Sequence, residues 1–584
     1  MLNRTSYCLL TASSLLVLIT ACGDLSAPTA SEPPSKRSVA AAVPTPSPHM
    51  SDEERSRAEI GVDLHEDAYH PTPASQAKRH ADVAQQFTAP MQEIAPARAV
   101  TGVIGPLPIP TPSDAGERYA ETDPNPVKRV SQAPVSTFSI DVDTGAYANV
   151  RRFLQAGALP PPAAVRVEEM LNYFRYDYAQ GSSPQDPFAI HTELSPTPWN
   201  AKTQLLHIGI QGYAPENTAD VPVNLVFLID VSGSMNHPKK LGLLKSSLRL
   251  LPRQLKPSDT LAIVTYAGAT RVALAATPAR EQKKILAALT QLQAGGSTHG
   301  AAGIELAYQQ AEAQFDPNGV NRVILATDGD FNVGMSDVAS LKKRIAEKRA
   351  SGIALTTLGF GTGNYNDHLM EQLADTGDGQ YAYIDTLSEA RKVLVDELTA
   401  TLLTIARDVK VQIEFNPAVV SEYRLIGYRN RLLREEDFSN DRVDAGDVGA
   451  GHSVTALYEI ALVGSDGQRL NPLRYHQDGA QQGGEGDELA YLQMRYKLPG
   501  ESASRLRQQI VHPQTERPLS DASDNFRFAA AVAAFGQQLA GSDYLDGFDY
   551  AAMLQLARRA RGEDVHGERG EFLRLLELAQ ALDG

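Results

Sequence analysis

Residues 225–229 form an unbroken apolar run, the pattern of a strand buried on both faces. Leu241, Leu244, Leu248, Leu251 and Leu255 follow at spacings of three and four, the stripe of a helix laid on a core. The alternation then repeats. Apolar strands are predicted at 261–266, 323–326, 354–360 and 381–384, and helical periodicity runs near 281–292, 301–314, 338–349, 367–374 and 389–402. Strands alternating with helices imply an α/β fold with a doubly wound, mostly parallel sheet, which binds ligands outside the carboxyl ends of its strands.

The pattern changes on both sides of this region. After residue 405 the apolar runs at 409–415, 423–428, 454–462 and 489–496 are separated by Gly, Asp and Asn, which predicts an antiparallel sandwich. Residues 203–211 are also strand-like but precede the α/β region, and a lone strand cannot satisfy its backbone groups, so the sandwich is expected to take strands from both sides. Upstream, 138–145 reads as a strand entering a Gly turn, and 163–174 as a helix with Val167, Met170, Leu171 and Phe174 on one face. Asp141 and Asp143 could bind a cation, but a single DxDxG without a later glutamate is a weak signal, and they are read as strand-end carboxylates facing solvent. From Asp524 the sequence turns helical, with Phe528, Val532, Phe535 and Leu539 aligned, and it closes in a helix near 571–582; these helices are expected to pack on the sandwich. The polar loop 483–488 is assigned no ligand.

Composition narrows the function. The 584 residues carry 54 Lys and Arg against 70 Asp and Glu, a formal charge of −16, which argues against nonspecific nucleic-acid binding. Two cysteines, Cys8 and Cys22, are too few for a disulfide scaffold, a thiolate zinc site or an iron–sulfur cluster. Arg4, a largely apolar run at 9–20 and Ile19-Thr20-Ala21-Cys22 resemble a bacterial lipoprotein signal peptide; the run is too short for a bilayer, which needs about 20 residues. That resemblance implies cleavage before Cys22 and acylation, including palmitate, of Cys22 in a cell envelope of Gram-negative type. Gly23, where an Asp would resemble an inner-membrane retention signal, favours the outer membrane. A Pro- and Ala-rich segment follows and reads as a disordered tether, with a helix near 52–86. His65-Glu66 and His70 miss the zinc-protease HExxH spacing by one residue, since position 69 is Tyr69. The expected division is signal peptide 1–21, tether 22–130, an α+β segment 131–220 contributing strands to the sandwich, the α/β domain 221–402, a β-rich domain 403–520 and C-terminal helices 521–584.

Chemistry concentrates at the carboxyl ends of the predicted parallel strands. Asp230-Val231-Ser232-Gly233-Ser234 follows the first strand, Gly295-Gly296-Ser297-Thr298 offers a further hydroxyl, and Thr327-Asp328-Gly329 ends a third strand. Two carboxylates and three hydroxyls make an all-oxygen set suited to a hard cation. DxSxS, a loop Thr and TDG in that order resemble a von Willebrand factor type A domain with a metal-ion-dependent adhesion site, and the wider arrangement is similar to a family of bacterial lipoproteins carrying such domains. The resemblance implies that Ser232, Ser234 and Thr298 ligate Mg²⁺ (or Mn²⁺ or Ca²⁺) and that Asp230 and Asp328 act largely through water. Ligation mainly by neutral hydroxyls leaves the cation most of its charge, so an Asp or Glu of a protein partner can complete its shell.

Other classes fit less well. Gly295-Gly296-Ser297-Thr298-His299 has His299 where a nucleophile elbow needs Gly, and it follows a helix instead of a strand. Gly359-Phe360-Gly361-Thr362-Gly363 lacks the final spacing of a dinucleotide loop. A binding protein is therefore expected, not an enzyme; the alternatives are an envelope scaffold with a structural metal site or a hydrolase.

Overall fold

Pro252 interrupts the leucine-striped segment that the sequence presents as one helix, and Pro238 opens it. In the computed structural model Pro238–Gly242 forms a π turn, Leu243–Leu248 an α-helix and Leu251–Arg253 a 3₁₀ turn. Proline lacks an N–H to donate, so Pro238 and Pro252 each sit in the first turn of a separate piece. The structure describes residues 116–121, 123–215, 221–297, 300–329, 338–474, 487–513 and 518–584. The signal sequence, Cys22, the helix expected near 52–86, His65, His70, Thr298 and His299 lie outside them.

These pieces cover a six-stranded sheet with the order Tyr381–Ile384, Ala354–Phe360, Val320–Thr327, Val223–Asp230, Thr260–Tyr266, Arg271–Pro278. The first five strands run parallel and the last antiparallel. Every residue of Val223–Asp230 is buried. Leu244, Leu248, Ile285 and Leu289 cover one face, while Ile304, Tyr308, Leu341, Ile345 and Leu373 cover the other. The edge strand Arg271–Pro278 escapes the sequence reading because its first two residues are exposed and its apolar alternation is weak.

The chain before and after this sheet forms a sandwich. One sheet has the order Lys128–Arg129, Val420–Ile426, Ser453–Leu462, Asn200–Gly212, Phe188–Thr197. The other joins Gly446–Gly449, Thr404–Phe415, Ala490–Lys497 and Arg505–Val511, with Val135–Ser139 also paired to Thr404–Phe415. Ile210 faces Val454 in register, so a strand preceding the α/β domain pairs directly with one following it. Phe138, Ile208, Val411, Phe415, Tyr458 and Leu492 fill the space between the sheets. A fragment of residues 403–584 would lack Val135–Ser139 and Asn200–Gly212 and would expose two unpaired strand edges. It is expected to be insoluble or to melt without cooperativity; a sharp thermal transition in that fragment would contradict this partnership.

Three sequence expectations are corrected. The tether does not extend to 130: Arg152 binds Glu117 at 2.9 Å, the backbone N–H of Arg118 donates to Tyr365, and Lys128–Arg129 pairs with Val420–Ile426. These few polar anchors leave no mark in a segment read for apolar periodicity. Gly145, expected to form a turn, instead opens a helix, Gly145–Gln155, whose Tyr147, Val150 and Leu154 are buried and which the sequence reading did not place. The helix expected at 163–174 is a 3₁₀ turn, Pro162–Ala164, followed by the short helix Val167–Asn172. The C-terminal helices Asp524–Leu539, Tyr550–Arg559 and Glu568–Asp583 pack on these two upstream helices as well as on Leu205, Ile426 and Leu457 of the sandwich. Phe174, Phe528 and Phe572 meet edge to face there at 4.9–5.6 Å between ring centres.

Asp141 and Asp143 are also buried, 3% and 2% exposed, and do not face solvent. Arg431 binds both, at 3.0 and 3.1 Å, and reaches Glu371 at 3.3 Å and Asp375 at 2.6 Å. Arg166 binds Glu169 on its own segment and Asp367 on the α/β domain. A second joint has Arg151 bound to Asp385, Glu389 and Glu571. Buried ion pairs thus clamp the α/β domain to the elements around it.

Candidate functional site

Asp230 ends its strand opposite Tyr266 on the neighbouring strand and is fully buried. Its carboxylate accepts the Ser232 backbone N–H at 2.8 Å, the Tyr266 hydroxyl at 3.2 Å and the Thr327 hydroxyl at 2.9 Å. Burial pushes the Asp230 carboxyl up to about 6; the Ser232 bonds oppose the rise and the Asp328 charge adds to it. Asp230 therefore fixes the turn that follows it and contributes negative charge from beneath.

That turn, Gly233–Met235, is pinned by Met235, which is buried in the core below. Residues two apart on either side of Gly233 can then share the outward side. The Ser232 and Ser234 hydroxyl oxygens lie 3.0 Å apart, Ser232 buried and Ser234 exposed. A pair of neutral oxygens so spaced, open on one side and backed by carboxylates, fits two neighbouring positions in the shell of a hard cation.

The loop toward Thr298 is tied to the same turn. The Gly295 N–H donates to the Val231 carbonyl at 2.8 Å, and the Gly233 N–H donates to the Gly296 carbonyl at 2.9 Å. Gly296 has φ +89°, and a Cβ there would lie 2.9 Å from the Gly268 nitrogen, so only glycine lets the loop approach this closely. Thr298 itself is outside the described residues. Asp328 follows Val320–Thr327, is fully buried, and lies close enough to Asp230 to influence its proton affinity. Its Oδ2 accepts a hydrogen bond from Lys240 Nζ at 2.8 Å. The structure thus brings Asp230, Ser232, Ser234 and Asp328 to one edge of the sheet.

Sequence reasoning missed Tyr266, Lys240 and Asn364. Tyr266 looks like the last apolar residue of a strand, and Lys240 is one lysine beside the first leucine of a helical stripe. Asn364, which accepts a second hydrogen bond from Lys240 at 3.1 Å, stands in a glycine-rich turn. No periodic signal marks any of them. The Asp141, Asp143 and Glu169 oxygens lie within 4.8 Å of one another, as in a metal site, but Arg431 and Arg166 already supply their counter-charge.

Known proteins resemble this chain along most of its length. Residues 224–397 match the model of the von Willebrand factor type A domain, 113–207 a model described as von Willebrand factor, and 400–582 the model described as the C-terminal part of uncharacterized protein YfbK. YfbK of Escherichia coli (strain K12) is 49% identical over 472 residues, 80% of this chain and 81% of its own length. Human inter-alpha-trypsin inhibitor heavy chain H2 is 27% identical over 194 residues, 31% of this chain and 20% of its own. A solved von Willebrand factor type A structure from Catenulispora acidiphila is similar with a TM-score of 0.38 at 16% identity, covering 69% of this chain and 91% of that one.

Proposed function

The chain belongs to the family of the Escherichia coli protein YfbK and carries a von Willebrand factor type A domain, and from that premise we propose that it is a lipid-anchored envelope protein that captures an acidic protein partner through a divalent cation. The observation that carries this reading is the pair of Ser232 and Ser234 oxygens, 3.0 Å apart, backed by the buried carboxylates of Asp230 and Asp328. When bound, Mg²⁺ (or Mn²⁺ or Ca²⁺) supplies a coordination point for a carboxylate. Ser232 and Ser234, with Thr298 by family resemblance, hold it through neutral oxygens. Asp230 holds the turn through the Ser232 backbone N–H, is itself held by the Tyr266 and Thr327 hydroxyls of the neighbouring strands, and supplies charge without occupying the open side. The protein as a whole carries −16 and repels an acidic partner at long range, so attraction must be local to the site.

Capture of an envelope partner is expected in Mg²⁺ and lost in chelator. If chelator lowers the melting temperature but leaves capture unchanged, the ion braces the fold and the scaffold reading replaces this one.

The anchor is proposed at Cys22, with the outer membrane favoured. Among the described residues no helix is long and apolar enough to cross a membrane. Acyl chains contribute about 0.8 kcal/mol per buried methylene, so two or three hold a protein stably. Cys22→Ser is expected to move the protein from the membrane pellet to the soluble fraction. Pelleting that survives both the substitution and high salt would point to a protein contact instead of lipid.

A further inference from the structure

Lys240 is the cation already present at the candidate site. Its ammonium donates to Asp328 Oδ2 at 2.8 Å and to Asn364 Oδ1 at 3.1 Å, and its side chain is only 10% exposed. The stem is held as firmly as the head. Gly361 has φ +77°, and a Cβ placed there would fall 2.3 Å from Lys240 Cγ and 2.4 Å from Cε, so the aliphatic chain lies directly on the glycine backbone. Its Cα belongs to the π turn Pro238–Gly242, three residues beyond the turn that carries Ser234. Lysine and serines are therefore parts of one continuous segment. Asn364 is neutral, so among these contacts Asp328 alone supplies the ammonium with counter-charge.

We propose that Lys240 is a built-in counter-cation of the metal site, lowering its affinity for divalent ions while keeping the loaded site net positive toward an anionic ligand. This rests on the reading of Asp230, Ser232, Ser234 and Asp328 as a metal site. The charge count gives the reason. Two ionised carboxylates cancel a divalent ion, leaving no net charge for an incoming carboxylate to find. With the lysine included the same loaded site carries one net positive charge, buried where water and salt screen it little. Before loading, the ammonium already neutralises one carboxylate, so a divalent ion gains less from binding. The lysine thus exchanges metal affinity for ligand attraction, a division of labour that the hydroxyl ligands alone do not provide.

The test compares full-length wild type with Lys240→Met, which keeps the stem on Gly361 and removes the charge. Mn²⁺ is the metal probe, read by calorimetry, and acetate is the anion probe, read by water-proton relaxation of the Mn²⁺-loaded protein. Lys240→Met is expected to bind Mn²⁺ about tenfold more tightly and acetate several-fold more weakly. A lysine that merely positions Asp328 predicts the opposite sign for the metal. Equal or weaker Mn²⁺ binding in a variant that melts like wild type therefore overturns the proposal while leaving the metal site in place. Binding by the variant but not by wild type supports it, as the extreme case of the same competition. Absence of binding by both removes the metal-site reading and this inference with it. If Lys240→Met does not fold, Lys240→Gln is measured against the same outcomes.

Discussion

Asp230→Asn and Asp328→Asn are each expected to weaken Mg²⁺ and Mn²⁺ binding by about 100-fold or more, and with it partner capture, while the α/β core stays folded. The site is all oxygen, and its affinity depends on charge as well as geometry, so replacing one of two carboxylates halves the anionic charge facing the ion. Asparagine is the informative replacement because both carboxylates also have structural duties. Asp230 accepts hydrogen bonds from the Ser232 backbone and from the Tyr266 and Thr327 hydroxyls, and alanine would leave these buried donors unpaired at about 1–3 kcal/mol. Asparagine keeps an acceptor and imposes no charge on a place where burial already pushes the carboxyl up to about 6. Asp230→Asn should therefore melt close to wild type. Asp328→Asn should lose up to about 3 kcal/mol, because Lys240 keeps an acceptor but loses its counter-charge. Calorimetry on the folded variants decides the matter: metal binding unchanged in both would remove these aspartates from the site.

The second large effect lies away from the metal edge. Arg166→Met is expected to destabilise the protein by about 3–5 kcal/mol, the usual cost of removing one member of a buried ionic group. Arg166 is 5% exposed, and its partners Glu169 and Asp367 are completely buried. Glu169 also accepts the Ala146 backbone N–H at 2.7 Å, so it is fixed at the start of Gly145–Gln155 and cannot turn to water. Without the guanidinium, two carboxylates would face each other across the joint between the α/β domain and the segment before it. Urea unfolding should show a lower midpoint, with the joint opening first if the domain detaches before it melts. A loss below about 1 kcal/mol would mean that the pairing contributes little.

The sequence by itself determined the elements whose burial has a local period. The run 225–229 reads as a buried strand and Leu244 and Leu248 as the buried face of a helix beside it, because side-chain direction repeats every two residues in a strand and every 3.6 in a helix; the same period carries on through Leu251, where Pro252 has ended the helix. It also determined the strand-end motifs, since Asp230, Ser232, Ser234 and Asp328 sit immediately after apolar runs and need no distant partner to be recognised. Periodicity reports which face of an element is buried, however, and not what covers it. Only the tertiary structure decided that Asn200–Gly212 pairs with Ser453–Leu462, that Asp141 and Asp143 turn inward onto Arg431, and that Lys240 reaches an aspartate 88 residues away. An isolated charge reads as solvated in a sequence because burial without a counter-charge is prohibitive. Folding supplies the counter-charge from a remote segment, so buried ion pairs become visible only once the chain has brought both ends together.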